Sequence, residues 1–250
     1  MATKAEAQAR VQSRKEKILD VRNLNVVFGD FIVLEDISFF VERGEALAII
    51  GPNGSGKTTL FRALLSAIPY TGTVRWAPQT KIGYVPQKLD IDRQLPLTAR
   101  DFLHSKARVS SAGREDVERA AASVRLEDAV LERNLGELSS GQFQRAMIAF
   151  ALIGKPNVLL FDEPTASVDV AGEEEVYETL HRLQDEHGLT LLLISHDLHL
   201  VYRHANTVLC VNRKRTCFGE PVETLTPETL ARLYGHHPAL FHNLHHDHRR

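Results

Sequence analysis

The sequence predicts an α/β fold with a largely parallel central sheet into which a run of helices is inserted. Three observations carry this. Apolar segments of strand length alternate with amphipathic helical spacing on both sides of the middle of the chain, as βαβ units require. Residues 90–155 show helical spacing with few strand signals instead. Finally, Gly51-Pro52-Asn53-Gly54-Ser55-Gly56-Lys57-Thr58 fits the pattern G-x-x-x-x-G-K-[ST] completely, between an apolar run and a helix start.

The elements follow in order. Ile18–Phe28 alternates apolar and polar residues, and Ile32–Val41 does so again after the turn Gly29-Asp30. Both are expected as half-buried strands. Ala46–Ile50 is apolar throughout, which suits a strand buried on both faces. A helix is expected over Lys57–Ile68, stopped by Pro69, with short strands at Thr73–Arg75 and Lys81–Val85. Helical spacing then occupies Thr98–Ala107, Arg114–Val124 and Gly141–Ile153. The α/β pattern resumes with a strand at Val158–Phe161, a helix at Glu173–Glu186 and a strand at Thr190–Ile194. After a short helix, Thr207–Val211 and Thr216–Phe218 flank an Asn212–Arg215 turn as a terminal hairpin.

Composition sets bounds. A chain of 250 residues accommodates one large domain, or a core domain with a subdomain. A net charge of −2 gives no basic field for nucleic acid, which is not expected as a partner. Cys210 and Cys217 are the only cysteines; two suggest a reducing compartment without a disulfide framework, and each reads best as a small buried strand residue. The longest apolar run, around Leu191–Ile194, is of strand length and too short to span a bilayer. Residues 1–17 form a polar extension without the apolar stretch of a secretory signal, so a cytoplasmic location is expected.

The P-loop pattern implies a P-loop NTPase core. Its glycines let backbone N–H groups converge on phosphate oxygens, at a helix end carrying about half a positive charge. Lys57 is expected to reach the β- and γ-phosphates, with Thr58 on Mg²⁺ and Thr59 completing the loop's contacts. The strand ending in Asp162-Glu163 supplies two carboxylates with different tasks. Asp162 suits the Mg²⁺ shell, because a hard cation takes oxygen ligands, whereas Glu163 can hold the attacking water and accept its proton. His196, just past Thr190–Ile194, lies where the carboxyl ends of parallel strands form a ligand crevice, and can donate to the γ-phosphate.

Leu138-Ser139-Ser140-Gly141-Gln142 opens a helix some eighty residues after the P-loop. Together with the residues above, it resembles the signature loop of the ABC (ATP-binding-cassette) ATPases, from about Ile18 to Leu225. The resemblance implies a RecA-like core with an antiparallel β-subdomain (domain 18–225), a helical subdomain at about 90–155, and a C-terminal helix and tail over 226–250. It implies that Phe28 stacks on adenine, where Tyr is commoner, and that Gln87 contacts Mg²⁺ and links nucleotide state to the helical subdomain. Ser139, Gly141 and Gln142 then contact ATP held by a second copy of the chain, and Asp169, in Ser167-Val168-Asp169, bridges the two sites. Ser140 stands where glycine is commoner; its Cβ is costly only if the loop needs positive φ, and it is expected to be tolerated with slower closure. Phe150 stands where arginine is frequent.

The segments Ser195–Val201, Val208–Asn212, Cys217–Pro221 and Leu95–Asp101 are similar to those of zinc and manganese importer ATPases. The resemblance implies ATP and Mg²⁺ as ligands. Its implied partners are integral-membrane permease subunits and, indirectly, an extracytoplasmic metal-binding protein, with the chain peripheral on the cytoplasmic face of the membrane. The cargo stays open between Zn²⁺, Mn²⁺ and Fe²⁺. His236, His237, His242, His245, His246 and His248 crowd into the tail and form a candidate Zn²⁺ site, with a solvated polar tail as the alternative. A soluble ABC ATPase of an assembly scaffold, such as one in iron–sulfur cluster biogenesis, is the alternative reading of the whole.

Overall fold

Two long strands, β1 (Lys17–Phe28) and β2 (Phe31–Glu42), pair antiparallel about the tight Gly29-Asp30 turn. β4 (Thr71–Trp76) joins β1 on its other side, giving a three-stranded antiparallel sheet of order β2-β1-β4. The computed structural model describes residues 16–87, 95–162 and 170–235, the side chains of 170–173 and 216 excepted. The polar extension up to residue 15, the acidic Glu163, the 167–169 segment and the tail histidines all lie outside the described residues.

The second sheet has six strands in the order β5-β6-β7-β3-β8-β9. Its members are β3 (Ala46–Ile50), β5 (Ile82–Val85), β6 (Val158–Asp162), β7 (Thr190–Ile194), β8 (Thr207–Asn212) and β9 (Lys214–Gly219). All neighbours are parallel except the terminal pair β8–β9. Every residue of β3, β6 and β7 is buried, as strands covered on both faces should be.

Successive side chains on these strands feed different cores, following the two-residue period of a strand. Leu160, Leu192, Leu47 and Ile49 pack with Leu24, Leu34 and Ile37 of the small sheet and with Phe61 of α1 (Lys57–Leu64). Leu159, Phe161, Leu191 and Leu193 pack on the opposite side. There they meet the inserted helices α2 (Ala99–Val109), α3 (Arg114–Ser123) and α5 (Ser140–Leu152), and also α6 (Val170–His187). The insertion therefore shares a continuous apolar core with the sheet.

α1 stops at Leu64, short of the expected Ile68, for a local reason. Ser66 adopts φ 55°, and the bonds Ala67 N–H to Arg62 C=O and Ser66 N–H to Ala63 C=O close the helix in a Schellman arrangement. The single turn α4 (Asp128–Leu131) and the 3₁₀ turn Leu135–Glu137 were not foreseen; they are too short to show a period. α7 (Leu198–His204) follows β7, and α8 (Pro221–Thr224) and α9 (Pro227–Tyr234) close the described chain, each opened by proline in its first turn.

Two expectations need correction in the terminal hairpin. The turn is tighter than Asn212–Arg215, because β8 runs to Asn212 and β9 starts at Lys214, with Arg213 alone at φ 60°. The cysteines, expected as separate reduced residues, face each other across it. Cys210 pairs with Cys217 at a Cα separation of 4.8 Å and the two form a disulfide. A β-bulge between Cys210 and Val211 aligns them, which a reading of spacing alone does not give.

Candidate nucleotide site

The carboxyl ends of four adjacent parallel strands bring the predicted residues together. Gln87 follows β5, Asp162 ends β6, His196 follows β7 and Gly51 follows β3, in the spatial order of the sheet. Ser195 N–H donates to Ile49 C=O at 3.2 Å, tying the exit of β7 to the strand that feeds the P-loop. His196 is exposed at this edge. Convergence of this kind is where open α/β sheets bind ligands.

The loop itself is held from below by the terminal hairpin. A Cβ on Gly51 would lie 2.0 Å from the carbonyl oxygen of Val211, so no other residue fits. Arg213 reinforces the arrangement: its N–H donates to Ser55 C=O and its C=O accepts from Glu35 N–H. Gly56 has φ +100°, and a Cβ there would meet Leu34 at 2.6 Å. Gly51→Ala is therefore expected to destabilise the protein by about 1–3 kcal/mol through forced displacement of the hairpin. A thermal unfolding midpoint equal to that of the native chain would contradict this packing.

Lys57 opens α1 with its ammonium inside the loop, donating to Gly51 C=O at 2.9 Å and Pro52 C=O at 3.1 Å. Asn53 to Thr59, with Val33 and Gln87, line a cavity of about 370 Å³. The Ser55 hydroxyl oxygen is buried with no hydrogen-bond partner among the described residues, an arrangement that costs about 1–3 kcal/mol unless a ligand satisfies it. A phosphate group in this cradle would do so.

The donor set for a divalent cation is all oxygen. Thr58 Oγ1 donates to Asp162 Oδ1 at 3.1 Å, and Asp162 is 1% exposed. The Tyr84 hydroxyl donates to Asp162 Oδ2 at 3.3 Å. Burial first, then the Asp162 charge and this hydrogen bond, push the Tyr84 phenol up to about 12. A hydroxyl, a buried carboxylate and the Gln87 side chain at the cavity wall fit Mg²⁺, which takes few protein oxygens and keeps several waters.

Phe28 lies at the tip of the β1–β2 hairpin and is 50% exposed, so its ring face is accessible to a ligand. Phe31 beside it carries the Arg213 guanidinium 5.4 Å from its ring centre. Ser139, Gly141 and Gln142 do not line the P-loop cavity of their own chain. They form the start of α5, where Ser139 Oγ accepts from Gln142 N–H and Gln142 Oε1 accepts from Ser139 N–H, a capping box. Ser140 is the first helical residue and is not among the positive-φ positions, so its Cβ brings no backbone strain. Phe150 stacks on Phe102 with ring centres 4.3 Å apart, a packing role that an arginine could not fill in the same way.

Sequence reading missed Val33, Tyr84, Arg213 and Arg133. The Arg133 guanidinium donates to Glu137 C=O at 2.5 Å and to Gln142 Oε1 at 3.4 Å, bracing the loop before α5. None of the four belongs to a motif; each is defined by a contact. Among the described residues there is no cluster of three or more His, Cys, Asp or Glu arranged to hold a metal ion, and no helix long and apolar enough to cross a membrane.

The family pattern described as ABC transporter matches residues 34–166. The zinc import ATP-binding protein ZnuC of Haemophilus influenzae is 35% identical over 95% of this chain and 89% of its own length. The protein of the same name from Pseudomonas fluorescens is 39% identical over 92% of this chain and 88% of its own. Among solved structures, cbiO1 from Clostridium perfringens, part of the ABC transporter complex cbiONQ, superposes with a TM-score of 0.73 at 27% identity, covering 87% of this chain and 94% of that one. MJ1267, an ATP-binding cassette of an ABC transporter, shares the fold with a TM-score of 0.78 at 23% identity, over 89% of this chain and 100% of that one. With its P-loop, its buried Asp162 and its capped signature helix, the chain belongs to the ABC transporter family as one of its ATP-binding subunits, an ATPase.

Proposed function

We propose that this chain is the energy-coupling ATPase of a zinc importer, acting as a head-to-tail dimer on a membrane permease at the cytoplasmic face. The observation that carries the reading is similarity to zinc import ATP-binding proteins across 92–95% of the chain, beyond the common catalytic core.

The chemistry follows from the site. Backbone N–H groups of Asn53–Thr59 and the Ser55 hydroxyl take the phosphate oxygens, and Lys57 neutralises the β- and γ-phosphates. Thr58, Asp162 and Gln87 hold Mg²⁺, which when bound screens the charge on the transferred phosphoryl group. Phe28 offers its ring to the adenine. Glu163, directly after Asp162, accepts the proton of the attacking water, and His196 donates to the γ-phosphate.

The signature residues act on the partner's nucleotide. A Cβ at Gly141 would meet no described atom within 4 Å beyond its chain neighbours and the backbone of its own helix, which leaves the helix start open to close approach from outside. The N–H groups there, with the Ser139 hydroxyl, suit a γ-phosphate, and Asp169 bridges the two sites. Hydrolysis removes the bridging phosphate and releases the clamp, and that motion is passed to the permease. The histidines from His236 to His248 bind Zn²⁺ on the cytoplasmic side and report its level.

Reconstitution with the cognate permease tests the reading. The expected result is that an extracytoplasmic binding protein loaded with Zn²⁺ stimulates ATP hydrolysis more than one loaded with Mn²⁺ or Fe²⁺. Stimulation by another metal alone overturns the cargo, and purification with a soluble complex in place of a permease overturns the transport role. The same assay on residues 1–235 is expected to lose any inhibition by cytoplasmic-side Zn²⁺; an unchanged zinc response rejects the sensor role of the tail.

A further inference from the structure

Tyr84 occupies a place that the nucleotide chemistry has not used. It lies on β5 opposite Leu160 of β6, and its hydroxyl reaches the end of that strand to donate to Asp162 Oδ2 at 3.3 Å. The other carboxylate oxygen accepts from Thr58 at 3.1 Å. The Tyr84 ring also meets Phe61 of α1 edge-on, with centres 6.4 Å apart and planes at 83°. One side chain therefore touches the strand that ends in Asp162 and the helix that carries Lys57 and Thr58. Its own strand leads to Gln87 three residues on.

A carboxylate rotates easily about its terminal torsion, which has broad, shallow wells. Donors on both oxygens remove that freedom. Without the Tyr84 hydroxyl, Oδ2 loses this donor and the Asp162 plane is held less firmly about the Cβ–Cγ bond.

We propose that Tyr84 is a positioning residue for the divalent cation, fixing the plane of the Asp162 carboxylate so that it and Thr58 present their oxygens together. The inference rests on the assignment of this site to ATP and Mg²⁺. It also gives β5 a second task, because a shift of the strand leading to Gln87 moves a donor on Asp162. Groups that orient a metal ligand through a hydrogen bond typically contribute about 10–100-fold to metal affinity, and the long bond here places the expected effect near the lower end.

The test is Tyr84→Phe, which keeps the ring and its edge contact with Phe61 and removes only the hydroxyl. Binding of a fluorescent ATP analogue to the full chain is measured with EDTA and across a Mg²⁺ titration. The expected result is a Mg²⁺ midpoint raised about tenfold, with binding in EDTA within about twofold of the native chain. In an Asp162→Asn background the same substitution should have little further effect, since the two residues act as one unit.

An unchanged Mg²⁺ midpoint overturns the proposal, as does equal weakening in EDTA, which marks a packing role. Full additivity with Asp162→Asn overturns it too. A native chain whose nucleotide binding ignores Mg²⁺ would instead overturn the site assignment beneath it.

Discussion

Glu163→Gln is expected to leave ATP binding intact and to lower steady-state hydrolysis by about two or more orders of magnitude. The amide has the size and shape of the carboxylate and can still hold a water, but it cannot accept that water's proton at neutral pH. The effect should fall on turnover and spare nucleotide affinity, because the phosphate contacts are proposed to come from the P-loop and Lys57, whose ammonium is anchored on Gly51 and Pro52. Single-turnover phosphate release beside equilibrium nucleotide binding separates the two. Native turnover in the variant removes Glu163 from the role of base.

Ser139→Arg is expected to abolish hydrolysis while the isolated subunit binds ATP as before. Within one chain the substitution removes the hydroxyl that caps α5, a loss of about 1 kcal/mol, and places a long side chain at an exposed position. Neither consequence touches the P-loop cavity, which Ser139 does not line. In the proposed dimer, the damage arises only when a second copy brings its own nucleotide against this helix start. Analytical ultracentrifugation with ATP should show the loss of a nucleotide-dependent dimer. If the variant destroyed ATP binding by the monomer, the trans arrangement would be wrong.

Much of the fold was legible because its signals are local. The buried strands at Ala46–Ile50 and Thr190–Ile194 were delimited to the residue, since runs covered on both faces are apolar from end to end. Helix starts at Lys57 and near Arg114 were equally plain. Helix ends were harder: α1 closes on a left-handed Ser66, a residue type that gives no warning of that conformation. The cysteines show the same limit. Their number and strand placement suggested two separate buried residues, but a bulged hairpin brings their Cα atoms to 4.8 Å.

The nucleotide site divides along the same line. The P-loop, the strand ending in Asp162 and the segment Leu138–Gln142 are runs of adjacent residues, so they could be read as text; the capping box within the last of them appeared only in the structure. What short-range pattern reports is which face of an element is buried and what its end can donate. It does not report the neighbour. That depends on the sheet order β5-β6-β7-β3-β8-β9, which places Val211 beneath Gly51 and sets Tyr84 against Asp162 across 78 positions of chain. Such contacts are decided by packing between elements, because a hydrogen bond or a close approach is a matter of ångströms in space and leaves no period in the chain.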